Sequence, residues 1–81
     1  MRIDKFLNSV NITKRRSIAQ DMISNQVVLI GDKIVKASKN VDVGDIITIK
    51  YLQNTKKYKV LKIPITKSTP KSFQSEYIEE L

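Results

Sequence analysis

The chain has 81 residues, with 15 lysines and arginines against 8 acidic residues, which gives a formal net charge of +7. It contains no cysteine and no histidine, and this excludes disulfides, thiolate nucleophiles, imidazole bases and nearly every zinc site. A single domain of this length has little room for a substrate pocket, so the composition predicts a cofactor-free binder of polyanions and not an enzyme.

The first predicted element is a helix over residues 3–9, and a second helix follows it and ends near Asn25. In the first helix the apolar residues recur at i, i+3, i+4 and i+7, which places them on one face. These residues are Ile3, Phe6, Leu7 and Val10. Thr13 is the candidate N-cap of the second helix, and Asn25 tolerates the left-handed conformation that often ends a helix. The apolar face of the second helix consists of Ile18, Ala19, Met22 and Ile23.

From Val27 onward the apolar pattern changes to one typical of strands. The predicted strands cover about residues 27–30, 33–35, 46–51 and 56–63. Gly31-Asp32 is a hairpin turn with glycine first, and Gly44-Asp45 is the turn before the third strand. We therefore predict an α+β fold in which two N-terminal helices pack on a small, mainly antiparallel sheet of about four short strands.

Residues 64–81 differ in composition from the rest, because they contain both prolines and a cluster of Ser, Thr and Lys residues. We divide the chain into a folded domain over residues 1–63 and a partly flexible C-terminal tail over residues 64–81. Phe73, Tyr77, Ile78 and Leu81 have the spacing of a short last helix that packs on the domain. A tail without such a helix is the equal alternative.

Three consecutive cations, Lys14, Arg15 and Arg16, lie where the second helix is predicted to begin. A helix N-terminus carries about half a positive charge, so cations there typically cost about 0.3–1 kcal/mol each. A bound phosphate would reverse this penalty, because backbone N–H groups and arginine side chains would all donate to it. We predict that this triplet binds phosphate, and the alternative is an ordinary solvated surface.

The first helix adds Arg2 and Lys5, which must point outward or toward the second helix, since the apolar face is assigned to the core. Asp4 lies between them and has two interpretations. It favours the helix dipole as an acidic residue in the first turn, or it accepts hydrogen bonds from Arg2 or Arg16 and orients that arginine toward RNA.

Two further groups of cations follow the helices. The segment Lys36-Ala37-Ser38-Lys39 would present two cations and a hydroxyl beside the helices, or it is an ordinary solvated loop. The lysines of the later strands are interpreted as surface or edge-protecting residues, because they follow the alternation of a strand. These lysines are Lys50, Lys56, Lys57, Lys59 and Lys62. The few aromatic residues form no stacking platform of the kind that reads single strands, which favours folded RNA as the ligand.

Together these segments resemble the S4 (S-four) domain, an RNA-binding module named after a ribosomal protein. The matching segments are Arg2-Ile3-Asp4-Lys5-Phe6-Leu7, Lys14-Arg15-Arg16 with Ala19, Val35-Lys36-Ala37-Ser38, and Val41-Asp42-Val43-Gly44-Asp45-Ile46. Gln26 stands where the family usually has glycine, Gly31-Asp32 replaces an Asn-Gly turn, and Asn11 stands where a basic residue is frequent. The length and layout are most similar to those of the small bacterial members that act in ribosome-associated quality control. The ribosome-binding heat-shock members of the same superfamily are somewhat less similar.

The resemblance implies a cytoplasmic, non-enzymatic protein that binds ribosomal RNA of the large subunit and peptidyl-tRNA where a nascent chain has stalled. It also implies a tailing-factor protein as a partner on that subunit. By position, the RNA contacts would be Arg2, Lys14, Arg15, Arg16, Lys36 and Ser38. Our interpretation of the charges adds Lys5 and Lys39, with Asp4 as an orienting residue.

We expect the protein to be a monomer. We expect no membrane partner, because no stretch approaches the roughly 20 apolar residues of a membrane span. The N-terminal residues are also charged where a signal peptide has an apolar core. Three other functions stay open: a ribosome assembly factor, a general DNA-coating protein, and an interaction adaptor that binds other proteins through the apolar residues between Phe73 and Leu81.

Overall fold

Two short helices cover one face of a five-stranded antiparallel sheet in the computed structural model, which describes residues 1–65 and 71–81. The helices are α1 (Ile3–Ser9) and α2 (Arg16–Ser24). The strands are β1 (Val28–Ile30), β2 (Lys33–Ile34), β3 (Ile46–Lys50), β4 (Thr55–Val60) and β5 (Ile78–Glu80), in the spatial order β2-β1-β3-β4-β5. A 3₁₀ turn (Lys71–Phe73) and a four-residue helix α3 (Gln74–Tyr77) precede β5. The predicted α+β fold is confirmed.

The hydrophobic core lies between the two N-terminal helices and the sheet. The four apolar residues of the first predicted helix are fully buried, as their spacing indicates. They form one cluster with alternate residues of the central strands. The strand residues of that cluster are Val28, Ile47, Ile49, Tyr58, Val60 and Ile78. Because successive side chains of a strand point to opposite faces, the residues between them lie on the face of the sheet that the helices do not cover.

Helix α2 begins later than the sequence predicted. Its N-cap is Arg15, with extended backbone at φ −138° and no side-chain cap, and not Thr13. The buried Thr13 hydroxyl instead donates to the carbonyl oxygen of Arg15 at 3.1 Å. Ala19 and Ile23 are buried as predicted, whereas Ile18 is 40% exposed. The shorter helix presents a narrower apolar face to the core than the sequence pattern indicated.

The residue in left-handed conformation after α2 is Gln26, at φ 61°, and not Asn25, at φ −81°. The Gln26 amide donates to the carbonyl of Ile23 at 3.0 Å, and the Val27 amide donates to that of Met22 at 3.3 Å. This pair of bonds defines a Schellman motif, in which glycine is the preferred residue at the position that Gln26 occupies.

We expect Gln26→Gly to raise the free energy of unfolding by about 0.5 kcal/mol, measured by urea denaturation. A Cβ atom in the left-handed region costs roughly 1–2 kcal/mol, and the greater flexibility of glycine in the unfolded chain offsets part of the gain. Asn25→Gly is the control, since its φ is ordinary and glycine should only destabilise there. Equal effects of the two substitutions would refute this account of the helix end.

Gly44 has φ +93° in the turn before β3, and its amide donates to the Val60 carbonyl at 2.8 Å. A Cβ atom built there meets nothing within 4 Å, so a substitution is costly only through the backbone conformation. We expect Gly44→Val to lower the free energy of unfolding by about 1–3 kcal/mol. Gly31→Asn should cost less, because φ +62° lies in the left-handed region that asparagine tolerates. Unchanged unfolding of the Gly44 variant would show that the turn carries no strain.

The C-terminal segment adds a strand that the sequence analysis did not predict. Ile78 is buried and pairs with Val60, and the Leu81 amide donates to the Lys57 carbonyl at 2.8 Å. The predicted last helix is present only over Gln74–Tyr77, and the next residue already belongs to β5. Residues 71–81 therefore form part of the folded unit, and the sheet has five strands and not about four. Residues 66–70, which the predicted flexible tail includes, lie outside the described residues.

Candidate RNA interface

The carboxylate of Asp4 is completely buried at the start of α1, where the first turn of this helix faces the first turn of α2. The backbone at the start of α1 is held against the loop after the first hairpin, because the Ile3 amide donates to the Lys39 carbonyl at 2.8 Å. The Lys5 amide then donates to Asp4 Oδ1 at 2.8 Å. The acid thus occupies a position that the helix dipole favours, and its second oxygen faces α2.

Side chains of both helices converge on this carboxylate. Arg16 Nε lies 3.2 Å from Asp4 Oδ2, and Arg16 Nη2 lies 3.5 Å from Oδ1. Arg2 Nε lies 3.3 Å from Oδ1 and Arg2 Nη2 lies 3.4 Å from Oδ2. Gln20 Nε2 donates to Oδ2 at 2.9 Å. We call Arg2, Asp4, Arg16 and Gln20 the Asp4 cluster. The contacts that the orienting interpretation of Asp4 requires are therefore present, and they involve both arginines.

Burial alone would raise the pKa of the Asp4 carboxyl, but hydrogen bonds outweigh it. The donors are the Gln20 amide, the Arg16 guanidinium and the Lys5 backbone, and together they hold the pKa of Asp4 below its ordinary value. Asp4 is therefore an anion at neutral pH and accepts hydrogen bonds from both arginines.

The depressed pKa of Asp4 predicts a dependence of stability on pH. A carboxyl whose pKa is lower in the folded state contributes stability above its unfolded pKa of about 3.9, and this contribution is lost as pH falls through the folded value. We expect the difference in unfolding free energy between the native protein and Asp4→Asn to be constant at neutral pH and to shrink below about pH 4. A difference that grows on acidification would contradict the assigned direction.

The outer parts of both arginines remain accessible although their carboxylate partner is buried. The Arg2 and Arg16 side chains are 48% and 44% exposed, and each guanidinium group has five N–H donors, more than Asp4 can accept. The first turn of α2 contains no acidic residue, and its N-cap provides no side-chain hydrogen bond. Two half-exposed arginines therefore lie beside a helix start that has neither an acidic residue nor a side-chain cap, which is an arrangement suited to a phosphate.

The loop after the first hairpin lies beside Arg2. Arg2 forms an isolated antiparallel bridge with Asn40, and the Val41 amide donates to the Met1 carbonyl at 2.9 Å. A turn in which the Lys39 amide donates to the Lys36 carbonyl at 3.0 Å folds this loop. Lys36, Ser38 and Lys39 are all exposed. The structure thus places the loop and the Asp4 cluster next to each other.

The remaining predicted contacts flank this cluster without joining it. Lys14 and Arg15 are exposed in the segment that leads into α2, and Lys5 is half-buried on α1. None of these three side chains forms an ion pair within residues 1–65 and 71–81. Gln20 was not predicted, because an uncharged residue on an exposed helix face gives no signal in the sequence. Its place one turn after Arg16 would have shown only that the two share a helix face.

Two other kinds of feature are absent from the described parts of the chain. No group of three or more acidic residues there could hold a metal ion. No helix among those residues is both long and apolar enough to cross a membrane. The cationic surface around the Asp4 cluster is the candidate functional site.

The sequence matches one family model and two named relatives. The model of the S4 domain matches residues 1–47. The chain is 44% identical over 78 residues to the RQC P-site tRNA stabilizing factor of Helicobacter pylori strain 26695, and 42% identical to that of strain J99. Each alignment covers 96% of this chain and 93% of the relative.

Two solved structures have the same fold over the whole chain. The chain superposes on Heat Shock Protein 15 of Vibrio cholerae, which was solved as a trimer, with a TM-score of 0.90 at 26% identity, and it covers 81% of that protein. The solution structure of a hypothetical protein superposes with a TM-score of 0.87 at 42% identity and is covered to 96%. Both alignments include all of this chain.

Proposed function

The chain belongs to the S4 domain family, and from this membership we propose that it is a non-enzymatic protein that binds folded RNA on the large ribosomal subunit. The observation that carries the proposal is the Asp4 cluster. One fully buried carboxylate holds two half-exposed arginines at the entrance of a helix that has no acidic residue in its first turn. Arginine pairs well with phosphate because its planar guanidinium group donates two parallel hydrogen bonds.

The names of the relatives support a more specific choice of RNA ligand. The Helicobacter pylori proteins are named as RQC P-site tRNA stabilizing factors and match nearly the whole chain. We therefore propose that the protein contacts ribosomal RNA and P-site peptidyl-tRNA on a large subunit with a stalled nascent chain. A protein that adds residues to the C-terminus of that nascent chain would be its partner there, and the location would be the cytoplasm.

Each side chain of the site has a defined role in this proposal. Arg2 and Arg16 donate to phosphate oxygens, and Asp4 keeps both guanidinium groups in place. Lys14 and Arg15 extend the surface along the entrance of α2, and Lys5 borders it on α1. Lys36, Ser38 and Lys39 extend it on the side of the hairpin loop. The exposed arginines and lysines neutralise backbone charge, and contacts to phosphate of this kind position a protein without reading sequence.

Competition between RNA and DNA tests the binding class. Unlabelled folded tRNA should displace the protein from purified large subunits at much lower concentration than duplex DNA of equal charge. Equal displacement would favour the DNA-coating alternative. Sedimentation of cell extracts distinguishes the two ribosomal roles, because a quality-control factor should move with stalled large subunits and an assembly factor with immature ones.

The adaptor function has less support than RNA binding. It would use the apolar residues from Phe73 to Leu81, but Ile78 of that segment is buried in the sheet and the Gln74 side chain donates to the Val10 carbonyl at 2.6 Å. These residues fix the segment to the domain. Only Phe73 and Leu81 are left as exposed apolar side chains.

A further inference from the structure

The face of the sheet that the helices leave open carries a group of lysines. Ile47, Ile49 and Tyr58 point into the core, so the alternation of β3 and β4 sends the neighbouring side chains to the opposite face. These neighbours include Lys50, Lys57 and Lys59, all of them exposed. We call this side of β3 and β4 the outer face.

The register of the strands places these three lysines close together. Lys57 and Lys59 are two residues apart on β4, which separates their Cα atoms by about 7 Å. Lys50 pairs with Thr55, so Lys57 is its diagonal neighbour, at about 7–8 Å. Thr48 lies between Leu29 and Lys57 in the register and is 7% exposed. The lysines therefore lie around a buried threonine in the middle of the sheet.

Ion pairing distinguishes these lysines from the others on the late strands. Lys56 lies on the helix side of β4, where its Nζ is 3.6 Å from Glu80 Oε1, and Lys62 Nζ lies 5.8 Å from the centre of the Tyr77 ring. In the described ranges, Lys50, Lys57 and Lys59 form no ion pair. Glu79, opposite Lys59, is the one acidic residue that β3, β4 and β5 place on the outer face.

Apart from Ile46, the outer residues of β3 and β4 are polar. Alternation explains this polarity, but it does not explain why three of these residues are lysines. Like charges on neighbouring strands repel, whereas threonine or glutamine would satisfy the pattern at no such cost. The outer face also has no aromatic residue of β3 or β4 that would anchor a protein partner. Lysine ammonium groups at this spacing suit a run of phosphates.

We propose that the outer face is a second RNA-binding surface, which takes the phosphate backbone of an RNA segment other than the one at the Asp4 cluster. The proposal rests on the proposed function only in that the ligand is RNA. Because the helices and the outer face lie on opposite sides of one sheet, a single molecule would join two RNA segments. Lys50, Lys57 and Lys59 then contribute to binding and are not only residues that keep the surface soluble.

The test is a salt series on purified large subunits with three forms of the protein. The first is native, the second carries Lys50→Gln, Lys57→Gln and Lys59→Gln, and the third carries Lys33→Gln, Lys56→Gln and Lys62→Gln. Both variants lose three charges, but the control lysines are not on the outer face. Lys33 and Lys56 lie on the other side of the sheet, and Lys62 lies beyond the end of β4. We expect the slope of log affinity against log salt to fall by about 2–3 in the outer-face variant only, at roughly 0.7–0.9 per lost phosphate contact. Equal slopes for the two variants would overturn the proposal.

A photoreactive amino acid then identifies what lies against the outer face. Placed at residue 57, it should crosslink to RNA on the large subunit, and at residue 56 it should not. Crosslinks from residue 57 to protein alone, or no crosslink, would overturn the inference. Arg16→Ala separates the two proposals: if it leaves binding unchanged, the proposed function fails, whereas normal binding by the outer-face variant alone removes only the second surface. Thermal unfolding of every variant confirms that it is folded.

Discussion

Replacing Arg16 with alanine should weaken binding to large subunits by roughly tenfold to a hundredfold. The substitution removes the charge-assisted contact of the guanidinium group with phosphate, which contributes about 1.5–3 kcal/mol in total. Lys56→Ala is the matched control, because it also removes one cation but from a residue paired with Glu80 on another part of the surface. Affinities measured by filter binding or fluorescence should differ clearly between the two. Equal affinities of these two folded variants would show that the surface around α2 is not the RNA site.

The same substitution should change stability little. A cation in the first turn of a helix is unfavourable, but Arg16 also pairs with the buried Asp4 at 3.2 Å. Arg2 and Gln20 still donate to that carboxylate when Arg16 is lost. These opposing effects predict a change of about 1 kcal/mol or less in the free energy of unfolding, so a loss of binding cannot be attributed to unfolding.

Asp4→Ala provides the sharper test of the orienting role. Removing a negative charge next to an RNA site should strengthen binding if only net charge matters. If Asp4 holds Arg2 and Arg16 in place, binding should weaken instead, and the losses from Asp4→Ala and Arg16→Ala should not add, because both disrupt the same contact. Tighter binding by the folded Asp4 variant would eliminate the orienting role.

Affinity for the large subunit should fall steeply with salt. Binding built on phosphate contacts releases counterions, and log affinity falls by about 0.7–0.9 per contact for each log unit of salt. Three to six contacts predict a slope of about 2–5, so a rise from 50 to 200 mM salt should weaken binding by roughly 15-fold to 1000-fold. An affinity that is constant over this range would remove the electrostatic mechanism, whatever the residues involved.

A matched variant makes the salt experiment specific to the site. Arg16→Ala should lower the slope by about one contact, because one phosphate partner is lost. Lys56→Ala should leave the slope unchanged. A slope that responds equally to both would mean that the protein acts through its general positive charge and not through the Asp4 cluster.

Local sequence patterns were sufficient to predict the elements whose contacts are local. Helix α1 has the bounds that the apolar spacing indicated, and the Gly31-Asp32 turn joins β1 to β2 as predicted. The end of α2 near Asn25 was predicted correctly, but its start was wrong, since the N-cap is Arg15 and not Thr13. Threonine favours helix starts, but which residue occupies the cap depends on the packing of the neighbouring turn. Propensity alone does not contain that information.

Non-local contacts were harder to predict. Strand β5 was missed because its register with β4 joins residues 18 to 22 positions apart, and Phe73 and Tyr77 have a helical spacing that favours another interpretation. A contact between Asp4 and an arginine was predicted as one of two interpretations of Asp4, and this contact is present. That both arginines and Gln20 contact Asp4 depends on how closely α1 and α2 approach each other. The apolar pattern of a single helix does not specify this distance.

Crosslinking in living cells, followed by sequencing of the bound RNA, tests the central claim most directly. The native protein should recover large-subunit ribosomal RNA and tRNA, and Arg16→Ala should lose most of both while Lys56→Ala keeps them. Recovery of scattered messenger RNA, or an RNA profile that Arg16→Ala does not change, would contradict the claim that the Asp4 cluster binds RNA on the large subunit.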